Sequence, residues 1–122
     1  MTWMVAEAAL DEFGKSIGLD ALSVPQNGTV ELALDADDVL GLERAGGELL
    51  IHRRRRCLYL DDQKVEQALH ACHPERSGGL LVQAAQHGDE LVFVVRIPTA
   101  EVTFGSISSA IAKLGQMHDL VP

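Results

Sequence analysis

The most concentrated charge in the sequence is a run of four arginines at positions 53–56. Guanidinium groups in a row could bind phosphate or an acidic partner. Two observations oppose a nucleic-acid site: the formal net charge is −8, which repels phosphate backbones, and Tyr59 is the only nearby aromatic residue that could stack on a base. We therefore expect no nucleic-acid binding, and we expect the arginines to pair with the protein's own carboxylates at a solvated strand end.

Metal-ligand residue types cluster at His70, Cys72 and His73, with Cys57 upstream. The paired two-residue spacings of a structural zinc site are absent. On a helix, Cys72 would also turn away from the face that the two histidines share. We therefore predict no metal site, and we expect both cysteines to be reduced, partly buried thiols.

An acidic stretch at Asp35, Asp37 and Asp38 superficially resembles the start of a calcium-binding loop. Leu40 stands where an EF-hand needs glycine, and Gly46 stands where it needs a bidentate glutamate. The stretch is therefore predicted to be a charged hairpin turn.

Catalytic spacings of serine and histidine are also missing. The sequence Gly-Ser-Ile-Ser-Ser at 105–109 lacks the second glycine of a nucleophile elbow. No phosphate-binding loop with a following lysine occurs, and spacing ties none of the five histidines to a nucleophile. We predict no catalytic residues and no cofactor, while a small enzyme whose site is assembled in space from distant residues stays open.

The elements that would hold any site fit a single domain over residues 1–122. Hydrophobic residues make up 47% of the chain and charged residues 23%, which is ordinary for a globular domain. Glu7, Asp11, Glu12 and Lys15 interrupt the apolar N-terminal stretch, so we expect no secretory signal. No run is long and apolar enough to cross a bilayer, which predicts no membrane insertion and a protein that stays where it is made.

The N-terminal half reads as a helix followed by three strands. Apolar residues recur at spacings of three and four along one stripe of the helix: Trp3, Ala6, Leu10, Phe13 and Ile17. Gly18 can end this helix. Strands are predicted at 29–34, 39–44 and 48–60. The alternation of the third strand fails at 53–56, which predicts a bend, a bulge or a projecting end there.

The C-terminal half reads as helix, two strands and helix. Asp61 or Asp62 can cap the second helix, and the sequence at 74–79 should stop it. Its apolar side comprises Val65, Ala68, Leu69 and Cys72. Strands follow at 80–85 and 91–97, and Thr103 can cap a last helix that reaches Leu120. The fold class is α+β, in the order helix–three strands–helix–two strands–helix, with helices packed on an antiparallel sheet.

The strand at 91–97 is apolar on both faces. One face would carry Leu91, Phe93, Val95 and Ile97, and the other would carry Val92 and Val94. Three short helices are not enough to cover both faces, so a second subunit or a bound client chain is the expected cover.

The order of elements over the whole chain resembles that of class I type III secretion chaperones. The resemblance is carried by the amphipathic first helix running into 17–22, short strands at 29–34 and 39–44, Glu48-Leu49-Leu50-Ile51, and a strand at 89–98 that ends in Pro98 before the helix at 103–120. The small size and a pI near 4.9 match as well. The arginine run departs from the family's pattern.

This resemblance implies a non-catalytic homodimer in the bacterial cytoplasm. Such a chaperone binds the extended N-terminal chaperone-binding segment of a secreted effector and keeps it secretion-competent. Clients of this kind add strands to sheet edges and place apolar side chains in surface grooves. A regulatory or adaptor role of the same fold outside secretion is the alternative.

The resemblance, together with the apolar excess of so small a chain, also implies two surfaces. The client-binding residues would be Phe13, Ile17, Val30, Leu32 and Leu42. The dimer interface would use Val65, Leu69, Cys72, Val92 and Val94. Each client-binding residue could equally belong to the core, because amphipathic elements normally face their own sheet.

Overall fold

A computed structural model describes residues 2–57, 59–73 and 82–121. The elements are α1 (Thr2–Ser16), β1 (Thr29–Asp35), β2 (Asp38–Ala45), β3 (Glu48–Arg56), α2 (Asp62–Ala71), β4 (Val82–His87), β5 (Glu90–Pro98), a 3₁₀ turn (Thr99–Glu101) and α3 (Phe104–Asp119). The predicted α+β class and the predicted order of elements are confirmed. None of the helices in the described ranges combines the length and hydropathy that crossing a bilayer requires.

The sheet has five strands in the order β1-β2-β3-β5-β4, and every neighbouring pair is antiparallel. β3 is therefore the central strand, while β1 and β4 form the two edges. α1 and α3 pack on one face, which we call the helix face. The other we call the open face, since no helix of the described ranges packs on it.

β3 differs from the expectation of a bend, bulge or projecting end. It pairs in unbroken register with β2 and, up to Arg56, with β5. It also ends at Arg56 rather than at residue 60. The arginines stay in the ladder because their side chains alternate between the faces and meet carboxylates on both. Arg53 lies against Gly115 of α3 on the helix face, and Arg54 meets Glu31 and Glu90 on the open face.

The core lies between the helix face and the helices. Its largest fully buried side chains include Leu10, Leu40, Leu42, Leu49, Ile51, Leu91, Phe93, Ile107 and Leu114. The two-faced pattern predicted for the strand at 91–97 is confirmed in β5. Its residues at alternate positions are buried against the helices, while Val92 and Val94 are half-buried on the open face.

Local signals at the helix ends also behave as predicted. Gly18, with a φ of +87°, follows the end of α1, and Asp61 accepts a hydrogen bond from the Lys64 amide at 2.9 Å. Thr103 and Ser106 form a reciprocal capping box at α3. The predicted stop at 74–79 and the first residues of the predicted strand at 80–85 lie outside the described residues.

Candidate functional site

The outer side of β1 is one candidate surface. β1 pairs with β2 only, so within the described ranges its second side presents backbone N–H and C=O groups that no strand uses. Val30 and Leu32 pack partly against the core and stay partly exposed. Leu34, two residues further, is 46% exposed. An extended chain added here would find backbone partners and apolar side chains together.

The five predicted client-binding residues divide between surface and core. Leu42 is fully buried and Phe13 is 7% exposed, so both belong to the core rather than to the surface. Ile17 is 49% exposed at the end of α1. Val30 and Leu32 are half-buried on β1. The structure thus leaves three of the five residues within reach of a partner.

Sequence reasoning missed several exposed apolar residues, among them Leu34, Met4 and Val5. Leu34 lies in β1, and the alternation that selected Val30 and Leu32 also contains it. Met4 and Val5 are 69% and 67% exposed on α1. Both lie off the apolar stripe of that helix. Apolar residues on the otherwise polar side of the helix were the signal that could have identified them.

The open face is a second candidate surface. Val94 lies opposite His52 in the ladder, and His52 lies opposite Gly41, where a side chain would collide with the imidazole ring. Burial of this ring lowers the pKa of His52 below its ordinary value of 6.5. His52 therefore favours the uncharged form on the open face, where it lies beside Val94 and near the Arg54–Glu31 ion pair.

The residues predicted for the dimer interface form two patches rather than one. Val92 and Val94 lie on the open face. The α2 residues lie beside α3 and β4, where Leu69 is 58% exposed and Val65 and Cys72 are half-buried. Burial raises the pKa of the Cys72 thiol. Cys57 is buried, and no disulfide joins it to Cys72. The β4 edge lies between the two patches.

All four arginines of the 53–56 run are bound to the protein's own carboxylates, as expected. Arg53 donates two hydrogen bonds to Asp38, at 2.9 and 2.8 Å. Arg55 reaches Asp38 at 3.1 Å and Asp119 at 2.8 Å. Their neighbours are paired as well: Arg54 with Glu31 and Glu90, and Arg56 with Asp89. The hydrogen bond from Arg53 holds the pKa of Asp38 below its ordinary value.

His118 ties the end of α3 to the same part of β3. The ring is 2% exposed, and its Nε2 lies 2.7 Å from the backbone carbonyl oxygen of Arg53, to which it can donate. The His118 and Phe93 rings also meet in an edge-to-face arrangement, with a centroid distance of 4.8 Å. Burial lowers the pKa of His118. This histidine therefore packs the end of α3 onto β3 and β5.

Asp38→Ala is expected to lower the free energy of unfolding by about 2–3 kcal/mol, because it leaves two largely buried guanidinium groups without their shared carboxylate. The pKa of Asp38 is lower in the folded state than its ordinary value of 3.8. The contribution is therefore present above pH 3.8 and is lost as the pH falls through the lowered pKa. Urea denaturation of both proteins at neutral and acidic pH measures it.

The matched control for this prediction is Asp37→Ala. Asp37 is an exposed residue of the same turn, so its replacement should change stability by less than about 0.5 kcal/mol. Equal losses for the two variants would contradict the role of the Asp38 ion pairs.

The protein is expected to give no gel shift with DNA or RNA at physiological salt. Its arginine run is already neutralised by intramolecular carboxylates, and the net charge of −8 opposes contact with phosphates. A micromolar complex that weakens as salt rises would contradict this prediction.

In the described parts of the chain, no three His, Cys, Asp or Glu side chains lie close enough together to hold a metal ion. Of the serines at 105–109, Ser106 is engaged in the α3 cap. Asp38, in the acidic turn, binds arginines. These groups therefore serve local structure.

Comparison with solved structures finds the same fold in several protein complexes, including the following three. A chain of the ExsC–ExsE complex has 18% identity and a TM-score of 0.75, covering 98% of this chain and 96% of that one. Yersinia pestis SycH, in complex with a YscM2 fragment, has 17% identity and a TM-score of 0.71, and the match covers 96% of this chain and 99% of that one. A chain of the ExoU–SpcU complex of Pseudomonas aeruginosa has 20% identity and a TM-score of 0.68, and the match covers 93% of this chain and 95% of that one. At these identities the likeness establishes the fold.

Comparison of the sequence with protein families assigns the chain. A search of curated proteins gives no significant match. The family described as type III secretory system chaperone SycN matches residues 3–122, which is nearly the whole chain. The match favours a secretion chaperone over a regulatory or adaptor protein outside secretion. This chain belongs to the type III secretory system chaperone SycN family.

Proposed function

We propose that this protein is a non-catalytic chaperone of the bacterial cytoplasm that binds the extended N-terminal segment of a type III secreted effector, here called the client segment. The observation that carries the proposal is the β1 edge, which combines unused backbone hydrogen-bonding groups with the partly exposed Val30 and Leu32. An edge of this kind suits a client held in extended form.

The complexes that the similar structures form support a protein partner. SycH was solved with a fragment of YscM2, and SpcU forms a heterodimer with ExoU. These statements concern those proteins. For this chain they favour a protein client over a small-molecule substrate, and we place the client along Ile17, Val30, Leu32 and the neighbouring Leu34.

Affinity purification of the tagged protein from its native host tests the proposal. We expect one secreted effector to co-purify, and we expect deletion of its N-terminal segment to abolish capture. Loss of the chaperone gene should also reduce export of that effector. Capture that survives removal of the N-terminal segment, or export that is indifferent to the chaperone, would overturn the proposed function.

A homodimer is the second part of the proposal. The half-buried Val92 and Val94 on the open face, and the 58% exposed Leu69 on α2, are the apolar surfaces that a second copy would cover. Light scattering at micromolar concentration should give twice the 13.2 kDa of one chain.

Val94→Glu should convert this dimer to a monomer, because it places a charge inside the proposed interface. Thr29→Glu adds the same charge on the open face at the far edge strand, and it should leave the dimer intact. A wild-type monomer, or equal behaviour of the two variants, would count against this interface.

A further inference from the structure

A groove runs along α1, between this helix and the segment that leads from it to β1. Its volume is about 410 Å³. Four of its lining residues are apolar and two are acidic: Met4, Ala8, Ala21 and Leu22, with Glu7 and Asp11. The groove borders the core at Leu22, which is 8% exposed, and it lies along the first helix, which the sequence associates with client binding.

Close contacts fix the wall that faces α1. A side chain on Gly14 would bring its Cβ within 2.6 Å of the Leu22 Cβ, so only glycine lets this segment approach the helix so closely. The Leu19 amide donates to the Gly14 carbonyl at 2.8 Å. Ala21 has a φ of +56°, in the left-handed region that alanine rarely adopts. The groove is thus a defined feature of the backbone.

The groove offers both apolar contact and negative charge. Met4 is 69% exposed, and its flexible thioether adapts to apolar partners of different shape. Asp11 pairs with Lys15 at 3.1 Å. Glu7 makes no ion pair or side-chain hydrogen bond with any residue of the described ranges. One carboxylate at the groove is therefore available to a cation from outside.

We propose that this groove takes an apolar side chain of the client segment that has a lysine or arginine next to it in sequence. This inference rests on the proposed function and adds the chemical class of the segment that α1 binds. The apolar side chain would fill the space beside Met4 and Ala8, while the basic neighbour would pair with Glu7.

The arginines of a second copy suit the groove less well than those of a client segment. The described arginines of this chain are already engaged with partners in their own chain: Arg44 stacks on Trp3 at 4.1 Å, the 53–56 run is paired, and Arg96 reaches Glu48. An arginine of a copy would have to give up one of these contacts to supply the cation. A basic and apolar client segment has no such cost.

Fluorescence anisotropy with a labelled synthetic peptide tests the inference. The probe alternates leucine and arginine in a Gly-Ser background, and a second probe carries glutamate at each arginine position. The first should bind at least about tenfold more tightly than the second, since it supplies both the anchor and the opposite charge. Glu7→Gln should weaken binding of the first probe about three- to fivefold.

Glu12→Gln is the matched control, because it removes the same charge from an exposed position of α1 that does not line the groove. It should change binding by less than about twofold. Ala8→Trp, which fills the groove from an exposed position, should weaken the first probe about tenfold or more.

Equal effects of the two glutamine variants would mean that the probe is held by general charge attraction, and they would overturn the inference. So would an Ala8→Trp variant that binds normally, or one that loses only self-association, which would place a second copy in the groove. If these results arise while the wild-type protein still captures its effector, the groove assignment fails and the proposed function stands. Loss of effector capture by the wild-type protein would instead remove the proposed function.

Discussion

Leu42→Ala is expected to lower the free energy of unfolding by about 2–5 kcal/mol, and Ile17→Ala by less than about 0.5 kcal/mol. Leu42 is fully buried between the sheet and the helices, so alanine there leaves a cavity as well as removing apolar contacts. Ile17 is 49% exposed and is not part of the core cluster. Urea denaturation followed by circular dichroism, at equal protein concentrations, measures both changes.

The aspartate variants sharpen this comparison. Leu42→Asp would bury an unpaired carboxylate and should leave the protein unfolded, while Ile17→Asp should fold normally and lose affinity for the client segment. Similar losses of stability at the two positions would contradict the division of the predicted client residues into core and surface. A folded Leu42→Asp protein would do so as well.

The elements were predictable because their periods were clear. In β5, alternate apolar positions sustained over 91–97 fixed both the strand and the two faces that the structure shows. In α3, Thr103 marked the helix start because its side chain can accept from the amide of Ser106. Signals of this kind are local, so the sequence alone contains them.

The arginine run was harder because its partners are remote in sequence. A strand with arginine on both faces shows no alternation, so the pattern suggested an irregular end. What keeps 53–56 in the ladder is the position of Asp38, Asp89 and Asp119 on neighbouring elements. Only the strand register and the packing of α3 bring these carboxylates near, and no local pattern encodes either.

The client surface was only partly predictable for a related reason. Phe13 and Ile17 lie on the same apolar stripe of the first helix, yet one is 7% and the other 49% exposed. The difference depends on how far the sheet and α3 extend under α1, which is a property of the assembled fold. Periodicity identifies the apolar side of an element, but it does not tell which part of that side is covered.

The two sides of β1 provide the most direct test of the client site. Leu32→Asp is expected to weaken binding of the client segment at least about tenfold, because it removes one apolar anchor worth about 1.5–3 kcal/mol and sets a charge in its place. Ala33→Asp adds the same charge one residue away, on the open face, and should cost less than about threefold. Isothermal titration calorimetry with the captured effector's N-terminal segment compares them.

Leu34→Asp is the control for a loss of folding in the Leu32→Asp variant. Leu32 packs partly against the core, whereas Leu34 is 46% exposed, so its replacement leaves the fold unchanged. We also expect Leu34→Asp to weaken binding of the client segment more than Ala33→Asp does. If all three variants bind alike, the backbone edge of β1 alone holds the client, or the client lies elsewhere. A graded loss, largest at Leu32 and smallest at Ala33, requires client side chains that face the same side of the strand as the helices.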